Sequence, residues 1–321
     1  MKYDFVAFGD IVTDCFIKLK EAKVECDLDR ENCMLCVKFG QKIPFESATE
    51  VPAVGNGPNA AVAGAKLGLK SAVATEIGDD LNGKICVDAL KAAHVATEFV
   101  GVHPGQKTNY HYVLQYEAER TILIKHEIFE RSLPRFDEPP QWIYLTSLAE
   151  GTYGLQHDIA RYAKENGVKL AFQPGTFQIR SKLEELKDIY AASEIFFCNK
   201  EEAQQILGTK EHDLKKLLSS VCALGPKIAV ITDHDPDPAD RGLQTAGLRP
   251  WSGPAPALQP LRGERMGLAI NPDEPFGADQ RRAVVQDIRP FATLVGREDQ
   301  IGIELPGPLD AKVGEPSRDR V

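Results

Sequence analysis

Residues 51–68 read VPAVGNGPNAAVAGAKLG, and this segment decides the fold. Gly55 and Gly57 indicate a turn that can adopt positive φ angles and lie against a ligand with no Cβ in between. Pro58 suits the start of a helix, and the small apolar residues from 60 to 67 favour one. A glycine turn that leads into a helix presents free N–H groups and the positive end of the helix dipole, so we predict that it faces a polar ligand. By itself, the Gly-x-Gly pattern is equally typical of an ordinary junction between a loop and a helix.

The pattern continues at a regular spacing after this segment. Residues 71–77 form an apolar strand pattern, and the sequence GDDLNG at 78–83 opens a second helix. Together with the glycine turn and Asn59, these features resemble the first signature of the ribokinase-like (PfkB) sugar kinase family. The one departure is Val54, where the family usually has Gly or Ala. The resemblance covers residues 3–233.

The composition narrows the class of protein. The chain has 321 residues, of which 43% are hydrophobic, enough for one large α/β domain and a small additional element. The formal net charge of −9, with no basic cluster, argues against a nucleic-acid-binding surface. Neither a signal-peptide pattern nor an apolar run of membrane-spanning length is present, so we expect a cytoplasmic protein without membrane contact. Seven cysteines, an odd number, are more typical of free thiols in a reducing compartment than of a disulfide framework.

Strand and helix patterns alternate along most of the chain, with short connections. This alternation predicts a mostly parallel sheet with helices on both faces, an α/β fold. The resemblance implies a ribokinase-like domain over residues 1–233. The strands are predicted at 71–77, 97–102, 142–145, 169–172, 195–198 and 228–231, and the helices at 81–93, 153–166, 181–192, 200–207 and 212–224.

Two segments depart from the alternation. Residues 16–51 and 108–124 contain β-prone pieces separated by polar turns, without an amphipathic helix. In the family that the chain resembles, a small β lid is inserted here, and the resemblance implies that it excludes water when the sugar and ATP meet. It also implies a homodimer formed through the lid.

Three cysteines stand close together in the first lid segment. Cys33-x-x-Cys36 has the spacing of metal ligands, and Cys26 offers a third thiolate. A structural zinc site needs four ligands, and the nearest fourth candidate is Cys15. No second Cys-x-x-Cys or paired histidines are evident, so we expect buried free thiols in an apolar lid rather than a metal.

Asp14 is the candidate for binding the hydroxyl groups of the acceptor. It follows the apolar strand at 3–8, and α/β sheets bind ligands at the carboxyl ends of their strands. In the resembled family, an Asp five residues after the glycine that ends this strand, here Gly9, grips sugar hydroxyls. The resemblance adds Gly55 and Asn59 to this substrate-binding set. Without the resemblance, Asp14 would equally suit an ordinary turn.

Asn199 and Glu202 are candidates for the nucleotide end of the site. They follow the predicted strand at 195–198 and match the family's Asn-x-x-Glu motif, which supports the magnesium and phosphate environment. Mg²⁺ retains its waters, so an amide and a carboxylate often hold it through water molecules. Asn followed by Glu at this spacing is also typical of a helix N-cap with an acidic first turn, and both interpretations can hold together. The resemblance implies ATP and Mg²⁺ as cofactors.

The resemblance ends after Asp233. The family continues with a glycine-rich nucleotide loop and a Gly-Ala-Gly-Asp sequence whose Asp is the catalytic base. Residues 234–321 instead hold twelve of the 21 prolines and no Tyr or Cys, and they show no strand or helix period beyond 281–288. The nearest counterpart of the missing base is Asp279 in the sequence FGAD, which lacks the second glycine. This composition is typical of a disordered tail or of a segment translated in another reading frame, so we expect that it does not build the nucleotide half of a kinase and leaves the strand at 228–231 exposed.

Three functions follow from these patterns. The first is an ATP-dependent kinase that phosphorylates a hydroxymethyl group of a sugar or nucleoside, weakened or inactivated by the missing motif. The second is a binding remnant of the same fold without catalysis. The third is an NAD-dependent oxidoreductase, because Gly55-x-Gly57-x-x-Ala60 fits the dinucleotide fingerprint and Glu76 lies where a ribose-binding acid is expected. That fingerprint must directly follow a buried strand, whereas residues 46–54 are largely polar.

Overall fold

The computed structural model describes residues 2–27, 33–117 and 119–234, together with two strands at 264–270 and 301–303. The strands in these parts of the chain are β1 (Phe5–Phe8), β2 (Val12–Leu19), β3 (Lys23–Glu25), β4 (Met34–Cys36), β5 (Phe45–Val54), β6 (Ser71–Gly78), β7 (Val100–His103), β8 (Tyr110–Tyr116), β9 (Glu119–Leu123), β10 (Trp142–Leu145), β11 (Lys169–Phe172), β12 (Ser193–Asn199), β13 (Ile228–His234), β14 (Glu264–Ile270) and β15 (Ile301–Ile303). The α-helices are α1 (Asn56–Lys66), α2 (Leu81–Ala92), α3 (Tyr153–Asn166), α4 (Thr176–Arg180), α5 (Lys187–Ala192), α6 (Lys200–Leu207) and α7 (Leu214–Cys222), and a 3-10 turn spans Leu183–Glu185.

The main sheet has the strand order β15-β14-β13-β12-β11-β10-β1-β6-β7. The seven strands from β13 to β7 are all parallel to their neighbours. Such strands must be covered on both faces, and β1 and β10 to β13 each contain a run of three or four apolar residues. The predicted mostly parallel α/β sheet is confirmed.

Helices cover the two faces of the sheet, and each face carries its own apolar core. On one face, Ala61 of α1 and Leu90 of α2 pack against Phe5 and Val73 of the sheet. The other face packs against α3 and α5 to α7, where Ile159 is fully buried. The apolar stripe of each helix is the surface that it buries against the sheet. The helices could therefore be predicted from the spacing of apolar residues in the sequence.

The elements at 142–145, 153–166, 169–172 and 200–207 have the predicted bounds, and six others differ at their ends by one to three residues. The helix expected over 181–192 is broken. Ser181 is extended, with ψ of 158°, and a 3-10 turn leads to Leu186, the N-cap residue of α5. Leu186 is 1% exposed and packs in the same core as Ile189. The bend lets both side chains reach the core.

The segment after residue 233 differs from the expectation in two respects. The sequence predicts no strand at these positions, yet β14 pairs antiparallel with β13 along seven residues and β15 pairs parallel with β14. The expected exposure of the strand at 228–231 is also wrong, since Ile228–Ile231 are at most 2% exposed. Pairing of β14 relies on backbone hydrogen bonds to the edge of β13, which do not require a long apolar run in the sequence.

A second sheet, with strand order β5-β2-β8-β9, forms the lid. Its bounds are wider than the predicted insert, because β2 starts at Val12 and β5 ends at Val54. The sequence did not indicate β5 as a strand. Seven of its ten residues are exposed, and Pro52 is tolerated because β5 lies at the edge of the sheet. An exposed edge strand needs neither an apolar run nor a clean alternation.

The expectation of free thiols in the lid is wrong for two cysteines, because Cys26 and Cys33 form a disulfide. The hairpin of β3 and β4 pairs Lys23 with Cys36 and Glu25 with Met34. Continuing this register by one position places Cys26 opposite Cys33, so the pairing follows from the hairpin. Two of the three thiolates considered for zinc are therefore used in the disulfide.

Thiol labelling is expected to separate the two cysteine classes. Denatured but unreduced protein should take up iodoacetamide at five cysteines, namely Cys15, Cys36, Cys86, Cys198 and Cys222, and at all seven after reduction. Intact mass spectrometry counts the added groups. Labelling of seven cysteines before reduction would contradict the disulfide.

Candidate active site

The carboxyl ends of β1 and β10 mark the point where the strand order of the main sheet reverses. From β1 the chain continues to β6 and β7 on one side, and β10 begins the series to β13 on the other. Ligands of such sheets bind in the crevice at this point. Asp10 follows β1 and Ser147 follows β10, and the Asp10 N–H donates to the Ser147 carbonyl oxygen at 3.0 Å. A residue that binds the ligand is therefore expected to lie at this crevice.

The glycine turn packs directly against the segment that follows β1. Gly55 has a φ of 121°, and a Cβ there would lie 2.4 Å from the Asp10 carbonyl oxygen. A Cβ on Gly57 would lie 2.9 Å from the Cα of Gly9. Only glycine permits both approaches, so these two residues bring the N-terminus of α1 to the crevice.

The first turn of α1 carries Asn59. The helix begins at Asn56, so Pro58 is its third residue and not its first. Proline is tolerated there because the first four N–H groups of a helix have no partner within it. The Asn59 N–H donates to the Gly55 carbonyl oxygen at 2.9 Å, and its side chain is exposed. Asn59 is thus placed near the crevice with its amide accessible, and its convergence with Asp14 on one ligand stays a prediction.

Replacing Gly55 by alanine is expected to lower the free energy of unfolding by about 2–3 kcal/mol, because the residue is strained at this φ and its Cβ meets the Asp10 carbonyl. Gly68→Ala is the matched control. Gly68 has a φ of 88°, but a Cβ at this position would meet nothing within 4 Å, so only the backbone strain of about 1 kcal/mol applies. Urea unfolding measures both. Equal losses would show that the close approach to Asp10 contributes nothing.

Asp10 is buried at the crevice and contacts an arginine and a histidine. Arg131 Nη2 donates to its Oδ1, and His126 Nδ1 lies 3.4 Å from its Oδ2. The side chains of Asp10 and Arg131 are 6% and 5% exposed. Burial opposes ionisation of Asp10, but the contact with His126 and the charge of Arg131 lower the pKa of this carboxyl below its usual value. Asp10 is therefore ionised and is fixed in place.

Asp14 lies in β2, on the lid side of the crevice. The register of β2 and β8 pairs it with His111, whose Nδ1 lies 3.4 Å from Asp14 Oδ1. The imidazole rings of His111 and His126 meet edge to face, with centroids 5.2 Å apart. The Asp14–His111 couple and the Asp10–His126 couple therefore form one continuous cluster, which we call the Asp–His cluster.

Four buried atoms of the Asp–His cluster have no hydrogen-bond partner among the described residues. They are Oδ2 of Asp10, Oδ1 of Asp14, Nε2 of His111 and Nδ1 of His126. Buried polar atoms are nearly always hydrogen-bonded, to protein, to water or to a ligand. A ligand with several hydroxyl groups fits this set, because each hydroxyl can both donate and accept.

Of the polar residues at the crevice, Asp14 was predicted from the sequence, whereas Asp10, Arg131, His111 and His126 were not. A signal for Asp10 was available, since it follows directly after a buried strand. No signal in the sequence identified the histidines, and the contact of His111 depends on which strand pairs with β2. That strand, β8, lies nearly one hundred residues further along the chain.

The nucleotide-end candidates lie at the end of β12 and form a reciprocal helix cap. The Glu202 N–H donates to Asn199 Oδ1 at 2.7 Å, and the Asn199 N–H donates to Glu202 Oε2 at 2.8 Å. Burial raises the pKa of the Glu202 carboxyl, opposed by the hydrogen bond from Asn199. Beside them, Lys200 Nζ donates to Asp233 Oδ2 at 3.2 Å. The predicted helix cap is therefore present. One carboxylate oxygen of Glu202 and the side-chain nitrogen of Asn199 take no part in it.

In the described parts of the chain, no group of three or more His, Cys, Asp or Glu residues is arranged to hold a metal ion. The amide oxygen of Asn199 and the carboxylate of Glu202 are oxygen groups of the kind that hold Mg²⁺ through water. Asp279, the candidate base, lies outside the described residues. None of the helices in the described ranges is long and apolar enough to cross a membrane.

The dinucleotide fingerprint lacks its required context. The strand before Gly55 is β5, an exposed antiparallel strand of the lid and not a buried strand of the main sheet. Glu76, the expected ribose-binding acid, is hydrogen-bonded to His103 Nε2 at 2.8 Å. The oxidoreductase interpretation does not account for this arrangement.

Comparison with known proteins places the chain in a family. Its sequence matches the pfkB family of carbohydrate kinases over residues 21–235. No individually curated protein matches it. Similar solved structures include Arabidopsis thaliana ribokinase complexed with ribose and ATP (18% identity, TM-score 0.59, covering 73% of this chain and 72% of that one).

Two further structures share the fold. They are the nucleoside kinase of Methanocaldococcus jannaschii (15% identity, TM-score 0.56, covering 72% of this chain and 71% of that one) and the fructokinase of Halothermothrix orenii (16% identity, TM-score 0.55, covering 71% and 78%). These structures support a ribokinase-like fold, and the match to the family spans most of the chain. The chain therefore belongs to the pfkB family of carbohydrate kinases.

Proposed function

We propose that this protein is an ATP-dependent kinase that phosphorylates a hydroxymethyl group of a sugar or nucleoside. The observation that carries the proposal is the Asp–His cluster, in which four buried polar atoms have no hydrogen-bond partner among the described residues. The cluster lies at the reversal point of the sheet and next to the lid. This site offers hydrogen-bonding groups for a polyol. The similar structures include a ribokinase, a fructokinase and a nucleoside kinase.

The residues of this chain would act mainly by positioning. Asp14 accepts hydrogen bonds from acceptor hydroxyls, while Gly55 and Asn59 hold the acceptor at the first turn of α1. The lid strands carry Asp14 and His111, so closure of the lid brings these groups onto the acceptor and excludes water. ATP supplies the phosphoryl group. Phosphoryl transfer needs little covalent help from the protein, so positioning and charge neutralisation provide most of the rate.

Asn199 and Glu202 would face the phosphate groups, with Mg²⁺ held through water by the amide and the free carboxylate oxygen. Burial favours the neutral form of Glu202, and a nearby divalent cation would favour its ionised form. A Glu202→Gln protein should therefore require more Mg²⁺ for the same rate. We also propose that the protein acts in the cytoplasm and associates as a homodimer through the lid.

The absence of the Gly-Ala-Gly-Asp sequence limits the rate that we expect. Loss of a general base costs about 10²–10⁴-fold in rate. The sequence around Asp279 lacks the second glycine of the family motif and the apolar helix start that comes after it. The Asp279→Asn variant is therefore expected to keep the remaining rate. A loss of about 100-fold in that variant would instead identify Asp279 as the base.

The test is ATP turnover by the full chain with D-ribose, D-fructose and adenosine, measured beside Arabidopsis thaliana ribokinase acting on ribose. We expect phosphorylation of one acceptor at a rate about 10²–10⁴-fold below the reference enzyme. Calorimetric binding of the same compounds separates the second candidate function. Binding without turnover would establish a non-catalytic remnant, and neither binding nor turnover would contradict the proposal.

The coding DNA provides a further test of the segment after residue 233. If this segment is translated in another frame, one alternative frame after the codon for Asp233 should encode a glycine-rich loop and Gly-Ala-Gly-Asp. Sequencing the gene decides this. If neither frame encodes them, the change of frame is excluded.

A further inference from the structure

The chain crosses between the main sheet and the lid four times: before β2, after β5, before β8 and after β9. Asn109 stands at the third of these crossings, immediately before β8, and it is 1% exposed. A polar side chain that is buried to this extent costs free energy unless its groups are hydrogen-bonded. The hydrogen bonds of Asn109 therefore show which parts of the chain it holds together.

Asn109 forms hydrogen bonds to two other crossings. Its Nδ2 donates to the Ile11 carbonyl oxygen at 3.1 Å, and its own carbonyl oxygen accepts from the Thr13 N–H at 3.2 Å, both where the chain enters β2. Its Oδ1 accepts from the Glu127 N–H at 2.7 Å, in the segment that follows β9. One buried residue thus joins three of the four crossings.

Each residue of the Asp–His cluster lies one or two positions along the chain from Asn109 or from a residue bonded to it. The four pairs are Asp10 with Ile11, Asp14 with Thr13, His126 with Glu127, and His111 with Asn109. The contacts of 3.4 Å inside the cluster are lost when one crossing moves by about 1 Å against another. The geometry of the cluster therefore depends on the crossings that Asn109 joins.

The neighbouring residue, Thr108, anchors this point to the main sheet. Thr108 is 3% exposed, and its Oγ1 donates to Asp80 Oδ1 at 2.7 Å and accepts from the Gly78 N–H at 3.2 Å. Asp80 is the N-cap of α2 and also accepts from the Gly83 N–H at 3.0 Å. Asn109 is therefore fixed against β6 and α2 on one side and bonded to the lid crossings on the other.

We propose that Asn109 is a positioning residue for the acceptor site. Through its hydrogen bonds it holds the aspartates and histidines of the Asp–His cluster at the separations that the acceptor requires. It touches no acceptor itself, because its amide nitrogen and oxygen each bond a backbone group. A site assembled from two parts of a fold needs such support to keep its geometry. This inference rests on the proposed function and adds the residue that joins the two parts of the site.

The test compares Asn109→Ala with the wild type and with Asn166→Ala, the matched control. Asn166 also donates from its side-chain amide to a carbonyl oxygen, that of Tyr162 at 2.9 Å, but it is exposed at the end of α3. Calorimetry with D-ribose, D-fructose and adenosine is carried out well below the melting temperature of each protein. We expect Asn109→Ala to bind the acceptor about tenfold more weakly, the worth of one misplaced hydrogen bond, and Asn166→Ala to bind it as the wild type does.

The ring signals of the histidines in NMR spectra distinguish positioning from stability. The imidazoles of His111 and His126 meet edge to face, with centroids 5.2 Å apart, so their signals depend on this contact. Asn109→Ala should shift both signals and leave the signal of His157, on α3, unchanged. Asn166→Ala should shift neither of the two cluster signals. A role in stability alone would lower the melting temperature of Asn109→Ala without shifting them.

Hydrogen exchange in the wild-type protein is a second measurement, which remains decisive if Asn109→Ala does not fold. The N–H groups of Thr13 and Glu127 both donate to Asn109. If Asn109 holds these crossings as one unit, the two groups should open together and their protection factors should agree within about tenfold. A protection factor for one group about 100-fold below that of the other would overturn the proposal.

The outcomes separate the role of Asn109 from the proposed function. A folded Asn109→Ala protein that binds the acceptor with wild-type affinity would overturn the positioning role, and so would unchanged signals of both cluster histidines. Wild-type protein that binds none of the three compounds and phosphorylates none of them would overturn the proposed function instead. The histidine signals and the exchange rates need no acceptor, so they would then still decide whether Asn109 holds the cluster.

Discussion

Replacing Arg131 by methionine is expected to lower the free energy of unfolding by about 3–5 kcal/mol. Arg131 and Asp10 are both almost fully buried, and removal of one partner leaves the other charge buried without compensation. Methionine retains much of the volume, so the loss reports the charge and not a cavity. Urea unfolding at neutral pH measures the effect.

Arg161→Met is the matched control for this variant. Arg161 also pairs with an aspartate, Asp158, but the two side chains are 64% and 45% exposed. Exposed ion pairs contribute about 0–1 kcal/mol, so this variant should unfold at nearly the wild-type urea concentration. Similar losses in the two variants would contradict a special role of the buried pair.

The same pair predicts how stability depends on pH. The pKa of Asp10 is lowered in the folded protein, so its contribution is present above its pKa in the unfolded chain, about 3.9, and is lost as the pH falls through the lower folded value. Without Arg131, this carboxyl protonates more readily in the folded state. The stability of Arg131→Met should therefore change less than that of the wild type between about pH 5 and 2.

Replacing Asp14 by asparagine is expected to lower the affinity for the acceptor by about 10–100-fold. A hydrogen bond to a charged group contributes about 1.5–3 kcal/mol, and 1.4 kcal/mol corresponds to a factor of ten. Asp14 Oδ1 is buried without a hydrogen-bond partner among the described residues. This oxygen can therefore accept a hydrogen bond from the ligand, and its replacement removes no hydrogen bond that the described fold uses. Calorimetry with the acceptor found by the turnover assay measures the change.

Asp188→Asn provides the comparison for Asp14. Asp188 also lies next to a histidine, His157, at 2.8 Å, but its side chain is 55% exposed and lies away from the crevice on α5. Its replacement should leave acceptor binding unchanged. If Asp14→Asn bound the acceptor as tightly as Asp188→Asn does, Asp14 would not be the acceptor residue.

The sequence was sufficient to predict the parallel strands of the main sheet because their physical signals are local. β10, α3, β11 and α6 have the bounds expected from apolar runs and from the spacing of apolar residues in helices. The glycine turn was equally local, since Gly55 must be glycine to adopt a φ of 121° next to the Asp10 carbonyl. Both features depend on residues that lie within a few positions of one another.

The polar half of the site could not be predicted in the same way. Arg131 and His126 come from a segment without regular secondary structure, and His111 meets Asp14 only because β8 is the parallel neighbour of β2. The disulfide likewise depended on the register of a hairpin whose strands have only three residues each. Local propensity carries no information about such pairings between distant strands.

The way in which the lid is assembled has a consequence for how the chain folds. β2 pairs with β8 through contacts such as Thr13 with Tyr110, which lie 97 positions apart. Closing so long a loop costs conformational entropy before any contact compensates it, and pairings of this kind form slowly. The intervening α1–β6–α2–β7 segment packs with β1 and brings those ends together. The lid is therefore expected to become protected from hydrogen exchange only after this unit has formed. Acceptor binding would then appear as one of the last events of refolding, and a nascent chain that ends before β8 would have no working acceptor site.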